Sequence, residues 1–201
     1  MAALLEWPEE LIPSEMTVNY RSNTAVFQSP FNKASQTVSY PGSRFAFTLT
    51  FNNMTQEEID LLNVVIVSLN GPAGKIKLRD FSKGFPSNVG AITVEQYRDG
   101  KTVDVKGFIP RSQKVLNAGA YVTINDQLLL LSKAVTTDAD GKARLEFANV
   151  LRNKTVPAGK PVYVSPPYGI FKLTEDENGG SRSPGMTGTM SLTFEEDIYV
   201  I

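Results

Sequence analysis

The stretch Arg44-Phe-Ala-Phe-Thr-Leu-Thr-Phe51 and the segment behind it, from Thr55 to Leu69, decide how this chain folds. In the first, Phe45, Phe47, Leu49 and Phe51 fall on one face, while Arg44, Thr48 and Thr50 fall on the other. A period of two carried by aromatic and β-branched residues marks a strand with one face on a core. The second segment opens as Thr55-Gln-Glu-Glu58, a capping box in which Thr55 is the N-cap and Glu58 reaches back to it. Acidic side chains in that first turn also suit the helix dipole. Ile59, Leu62, Ile66 and Leu69 then recur at spacings of three and four, an apolar stripe for packing on a sheet. Asn70-Gly71-Pro72 stops the helix of 55–69: Gly71 suits a left-handed cap and Pro72 cannot continue the turn.

Outward from this pair the pattern stays mostly strand. Met16 to Tyr20 and Gln36 to Tyr40 are short and β-rich, and Arg21 to Ser35 between them reads as a long loop or projecting arm. Lys75 to Phe81 alternates charged and apolar residues, the mark of a half-exposed strand. Ser82 to Gly90 is rich in Gly, Ser and Pro and reads as a linker. Strands are then expected at Ala91–Tyr97, Thr102–Phe108, Ala120–Ile124, Gln127–Val135, Arg144–Ala148 and Val162–Ser165, with Asp-Gly turns at 99–100 and 140–141. Short, evenly spaced strands of this kind fit a small OB-like barrel. After Pro166-Pro167, the runs Gly169–Thr174 and Thr189–Phe194 resemble a hairpin joined by a flexible stretch, Glu177 to Pro184. A lone hairpin is only marginally stable, so it is expected to pair with the N-terminal strands. The fold is therefore mainly β: a discontinuous domain of 1–83 and 165–201 with one α-helix, and an inserted OB-like barrel at 84–164. Charge follows the same division, with 11 basic and 7 acidic residues in 84–164 against 9 and 14 elsewhere.

The chain has 201 residues, 20 Lys and Arg against 21 Asp and Glu, and neither Cys nor His. That composition is globular. It excludes disulfides, thiol nucleophiles, thiolate metal sites and every catalytic scheme that turns on His. Near-neutral charge argues against a general nucleic-acid binder, whose affinity comes from phosphate neutralisation. The segment from Met1 to Pro8 has no basic start and no long apolar run, so no signal peptide is expected. The longest apolar runs, near Val64–Val67 and Leu128–Leu131, are too short to cross a bilayer, so a soluble protein made in a reducing cytoplasm is expected.

The tempting motifs carry little. Gly71-Pro-Ala-Gly-Lys75 has Ile76 where a phosphate loop needs a hydroxyl, and it follows a helix instead of preceding one. Asp138-Ala-Asp-Gly141 has its Gly too early for a calcium loop, and Asn149 stands where the bidentate Glu belongs. Paired carboxylates for glycoside cleavage would come from Glu95, Asp99, Asp104 and Glu146, or from Glu195, Glu196 and Asp197, none in a local signature. Ser82-Lys83 and Ser132-Lys133 are adjacent, and neighbours on a strand point to opposite faces. No catalytic residue, metal ligand or cofactor site is expected. Tyr97, Phe108 and Tyr121 on the insertion either stack on a ligand, as aromatics do on OB-folds, or fill the barrel and its rim.

Taken together, several features resemble the distal tail protein family of long-tailed, siphovirus-type bacteriophages. They are Trp7-Pro8 and the following strand, the loop ending Ser35-Gln-Thr-Val-Ser-Tyr-Pro-Gly42, and the strand and capped helix of Arg44 to Leu69. Asn70-Gly-Pro-Ala-Gly-Lys-Ile-Lys-Leu-Arg-Asp80, Gly169-Ile-Phe-Lys-Leu173 and the closing Met190-Ser-Leu-Thr-Phe-Glu-Glu-Asp197 complete the likeness. The resemblance is to the branch in which a β-sandwich-like ring-forming domain carries an inserted OB-fold. It implies a viral structural protein of the virion's tail tip, assembled in the host cytoplasm and not an enzyme. It implies a hexameric ring that joins the tail tube protein to the baseplate hub or a tail fibre protein, with DNA only in transit through its centre. The subunit-interface candidates are Arg21, Phe27 and Phe31 on the arm and Lys75, Lys77 and Arg79 on the following strand. Thr174 to Ile201 holds six acidic residues and Arg182 as its one cation, a supply of charge for a channel that must not hold DNA. A second expectation makes the insertion a carbohydrate-binding module for host attachment, with Tyr97, Phe108 and Tyr121 facing the sugar.

Overall fold

The computed structural model of this chain describes residues 4–87, 89–183 and 187–198. Residues 1–3, Asn88 of the expected linker, Pro184 of the expected flexible stretch and residues 199–201 of the acidic C-terminal stretch lie outside the described residues. Strands β1 (Leu4–Glu6), β2 (Glu15–Arg21), β3 (Thr24–Gln28), β4 (Ser35–Ser39) and β5 (Arg44–Met54) precede helix α1 (Gln56–Leu69). A short 3-10 turn, Gly71–Ala73, leads into β6 (Lys75–Leu78). Then come β7 (Thr93–Asp99), β8 (Thr102–Lys106), β9 (Tyr121–Ile124), β10 (Gln127–Leu130) and β11 (Lys142–Glu146). Last are β12 (Gly169–Leu173), β13 (Gly180–Arg182) and β14 (Gly188–Glu196). The protein is mainly β, with one α-helix among the described residues. It divides into two compact units, residues 1–76 with 171–201 and residues 77–170.

In the first unit one sheet runs in the order β1-β6-β12-β14-β5-β2, with β13 added against β14. β5 sits between β14 and β2, both antiparallel to it, so that Phe47 faces Phe194 on one side and Val18 on the other. The strands near the C-terminus thus join those near the N-terminus in one sheet. The period of two in β5 puts Phe45, Phe47, Leu49 and Phe51 in the core. Phe47 stacks on Phe171 with centroids 4.4 Å apart, and Trp7 lies 6.1 Å from Phe51 and 6.2 Å from Phe194. Each such aromatic pair adds to the apolar area it buries.

The capping box forms as its spacing requires. Glu58 N donates to Thr55 Oγ1 at 3.3 Å, and Thr55 N donates to Glu58 Oε2 at 2.8 Å. Ile59, Leu62, Val65 and Leu69 are buried, so Val65 takes the inner place expected of Ile66, which is half-buried. The cap differs in one residue. Asn70, at φ 52°, occupies the left-handed position, and its N–H reaches Ile66 O and Val67 O. Asn tolerates this conformation, so Gly71 is the second left-handed residue and not the cap itself. Gly188, at the start of β14, matters for a different reason: a Cβ there would lie 2.7 Å from Ile59 Cδ1.

The expected loop from Arg21 to Ser35 contains a strand, β3. Thr24-Ala-Val-Phe-Gln28 has the composition of a strand, and it pairs residue for residue with Ser35–Ser39. Ser29 N donates to Ala34 O at 2.8 Å across the turn, where Lys33 takes a positive φ of 58°. The result is a two-stranded arm separate from the main sheet.

The second unit holds two small sheets, β11-β8-β7 and β10-β9. The turn between β9 and β10 is Asn125-Asp126, both with positive φ, the requirement of a tight two-residue hairpin. Val94, Val103, Val105, Val122, Ile124, Leu129 and Leu145 are fully buried in one core. Single bridges add Leu131 to Phe147, Thr123 to Tyr163 and Thr93 to Pro161. The expected strand at Val162–Ser165 reduces to such bridges, because Pro161 has no N–H and Pro166 lacks one too. Boundaries read from Gly, Ser and Pro content, at 83/84 and 164/165, fall inside the limits of this unit. Residues 77–83 and 165–170 belong to it through specific contacts. Lys83 Nζ sits 4.3 Å above the Tyr121 ring, and Thr123 Oγ1 both donates to Tyr168 O (2.5 Å) and accepts from Tyr168 N (2.6 Å).

Two stability outcomes follow from this packing. Thr55→Ala should cost about 1 kcal/mol through loss of the cap. Leu62→Ala should cost about 2–5 kcal/mol in chemical unfolding, because it empties a fully buried site; a neutral result would mean that α1 is not packed as described. Expressed alone, residues 77–170 should unfold cooperatively. The shorter 84–164 should be less stable by roughly 1 kcal/mol for each hydrogen bond to Tyr168 that it lacks.

Candidate functional site

The arm of β3 and β4 is the part of the first unit least covered by its own chain. Val26 is 65% exposed, Phe27 56% and Phe31, at the turn, 97%. Val26 and Phe27 are neighbours on a strand and point to opposite faces, so neither face of the arm has a backing layer. Tyr20 and Tyr40, at the base, are each 46% exposed. No Asp or Glu occurs between Glu15 and Glu57, and Lys33 is the one charged residue from Ser22 to Ser43. Large apolar side chains on an acid-free, unbacked hairpin form a surface suited to another protein.

The six interface candidates separate into two groups. Phe27 and Phe31 project from the arm, and Arg21 stands at the end of β2, where it pairs with Glu195 at 3.6 Å. Lys75, Lys77 and Arg79 are already engaged within their own units. Lys75 pairs with Asp197. Lys77 Nζ lies 4.9 Å over the Tyr168 ring, and the Arg79 guanidinium lies 4.9 Å from Phe81 and 5.4 Å from Phe85. β6 also lies between β1 and β12, so it has no open edge to offer a neighbouring subunit. The long strand that ends the sheet is β2.

The three aromatics expected to face a ligand do not share a surface. Phe108 is 4% exposed and belongs to the core of the second unit, and Tyr97 is half-buried against that core. Tyr121 is 7% exposed, with Lys83 over its ring. Burial, with the nearby negative charge of Asp80, pushes its hydroxyl up to about 12. The aromatic pair that does reach the surface is Tyr163, 45% exposed, with Tyr168 at 5.3 Å between ring centroids. Alternation of Val162 and Val164, both buried, with Tyr163 carries the signal that finds it.

Most of the candidate carboxylates are committed to cations, and the others accept from backbone N–H groups. Asp104 accepts from Arg98 Nε at 2.6 Å and Arg144 Nε at 2.8 Å, Glu95 pairs with Lys142, and Glu146 with Lys133 at 2.7 Å. Asp99 instead caps its own turn by accepting from Lys101 N at 2.7 Å. Glu195 is ringed by Arg21, Arg44 and Lys172 at 3.2 to 3.6 Å. Glu196, 1% exposed, accepts from Phe45 N at 3.3 Å. Three of the six acids expected to line a channel are thus held inside the first unit, and Glu175, Asp176 and Glu177 remain exposed. Neither Ser-Lys pair is a dyad: Ser82 Oγ donates to Asp80, and Lys83 Nζ donates to Gly119 O. Ser132 Oγ donates to Glu146 O, while Lys133 pairs with the Glu146 carboxylate. Among the described residues no group of three or more Asp or Glu is placed to hold a metal, and no helix is long and apolar enough to cross a membrane.

No protein-family model matches the chain, and no curated protein matches it closely enough to mark a relative.

The Asp104 arrangement makes a pH prediction. The hydrogen bond from Arg144, with that from Arg98, outweighs burial and holds the Asp104 carboxyl below its ordinary 3.8. A lowered folded-state pKa contributes stability above the unfolded value and loses it as pH falls through the folded one. The difference in unfolding midpoint between wild type and Asp104→Asn should therefore be present at neutral pH and shrink below about pH 4. A difference that stays constant into acid would dissociate the carboxylate's charge from that stability.

Proposed function

We propose that this chain is a structural protein of a bacteriophage tail tip, forming a hexameric ring that joins the tail tube to the baseplate hub or fibre. The observation that carries the reading is the uncovered apolar arm beside β2, the strand that ends the main sheet. An edge strand is a template for another chain, and a surface that differs from its complement builds head-to-tail contacts that close into rings. The family resemblance supplies the six-fold closure, the virion location and the passage of DNA. Glu175, Asp176 and Glu177 are the exposed acids left to repel phosphate in transit. The internal pairing of the candidate carboxylates fits a structural role without catalysis.

Residues 84–164 are, in this reading, an OB-like barrel inserted in the ring-forming domain. The pairing order supports it. β7, β8 and β11 pair in turn, Leu131–Phe147 leads on to β10 and β9, and Thr123–Tyr163 with Thr93–Pro161 leads back to β7. A second reading, carbohydrate binding for host attachment, is favoured by the exposed Tyr163 beside Tyr168, since sugars stack on such rings.

Negative-stain imaging with mass measurement of the purified protein, and copy number in the particle that carries it, test the ring. A closed ring of six copies is expected, and a single copy per particle would refute it. A glycan array probed with the full chain tests the second reading: retention by wild type and not by Tyr163→Ala is the result it requires.

A further inference from the structure

The first unit has a second uncovered surface, on the outer side of α1. Glu57, Asp60, Val64 and Val67 follow one another at spacings of three and four, so they share one stripe of the helix. Val64 is 61% exposed and Val67 77%, and Glu57 and Asp60 are exposed as well. The stripe is therefore acidic over its first half and apolar over its second. Asp60 Oδ1 accepts from Gln56 Nε2 at 2.9 Å, a neutral donor that leaves the carboxylate's charge in place. The stripe faces away from the buried Ile59, Leu62, Val65 and Leu69.

The arm is its complement. The register of β3 and β4 places Ala25, Phe27 and Val38 on one face, with Gln36 as its one polar member, while Val26 shares the other with Thr24 and Thr37. Phe31 stands at the turn and Lys33 two residues on. Apolar face, exposed aromatic and single cation thus lie together on an element with no acid of its own.

We propose that the arm of one copy docks along the outer stripe of α1 on a neighbouring copy. Phe27 and Phe31 cover Val64 and Val67, and Lys33 approaches Asp60 and Glu57. This rests on the ring reading, and it assigns the two surfaces that make each contact. Charge selects the second copy as occupant and the helix as its docking face. Arm against arm would place Lys33 near Lys33; helix against helix would oppose two acidic halves when parallel, or press Glu57 and Asp60 onto Val64 and Val67 when antiparallel; arm against helix pairs opposite charges and apolar with apolar. Each copy then offers one arm and one stripe, the head-to-tail condition for a ring.

The chain has no Cys, so single substitutions give clean cross-links. Full-length Phe31→Cys and Val67→Cys proteins with different tags are mixed and oxidised. The heterodisulfide should form in clear excess over that from Phe31→Cys mixed with Val150→Cys, a control site 50% exposed on the second unit. Adding Lys33→Glu to the arm variant should lower the yield several-fold, and Asp60→Lys on the helix variant should restore it. Equal yields from the two mixtures, or no restoration by the charge swap, overturn the docking. So does binding to phosphatidylglycerol vesicles that is lost in Phe31→Ser, with no heterodisulfide formed, which would assign the arm to lipid. The mass of the wild-type assembly is read separately. A ring without the heterodisulfide keeps the ring and removes the docking; a heterodisulfide without a ring keeps the docking and removes six-fold closure.

Discussion

Pairing of β14 with β5 is the interaction on which the first unit depends. It aligns residues about 145 positions apart, as at Thr48 and Thr193, whose hydroxyls meet at 3.3 Å. The ladder satisfies one edge of β5, and β2 satisfies the other; without β14 the first edge would be open beside a Phe-rich face. It also brings Phe194 to Phe47 and Trp7, so the aromatic core exists only once the two ends of the chain have met. β12 then extends the sheet through Phe171, and Glu195 gathers Arg21, Arg44 and Lys172 around one carboxylate. Hydrogen bonding fixes the register, and the register places the charges.

Local order was legible where one residue type has one physical use. The capping box of Thr55 and Glu58 and the one-face pattern of β5 each follow from spacing alone. Less legible were choices between near-equal neighbours. Val65 and Ile66 are both β-branched and one step apart, and helix rotation against its surroundings decides which is buried. Asn70 and Gly71 both accept left-handed backbone, so composition cannot say which ends the helix. The β4 half of the arm is legible as Gln36 to Tyr40, while β3 is hidden because Ser, Asn and Pro dominate its surroundings and its partner is not adjacent in the chain.

The candidate surfaces were legible to a lesser degree. Phe27 and Phe31 stand out because they interrupt a polar stretch. Phe108 lies just past the end of β8 and Tyr121 begins β9, and only the packing of the second unit reveals that they face inward. Lys75, Lys77 and Arg79 look like a free basic strand in one dimension. In three they are taken by Asp197, Tyr168 and two Phe rings, so their charges stabilise their own units. Charge counts along the chain mislead for the same reason: a carboxylate already ringed by cations presents little field to a passing polyanion.

The long reach between β5 and β14 has a consequence for synthesis. A chain emerging from the ribosome exposes β5 well before its partner exists, because residues 188–196 are made last of the core strands. The second unit, built from pairings between nearby segments, is complete earlier and has the lower contact order of the two. The order of synthesis lets the continuous unit pair its strands first, while the interrupted one waits for residues 188–196 with an aromatic strand uncovered. That interval is the window in which holdase chaperones would engage the nascent protein and in which truncation by premature termination would leave an aggregation-prone product.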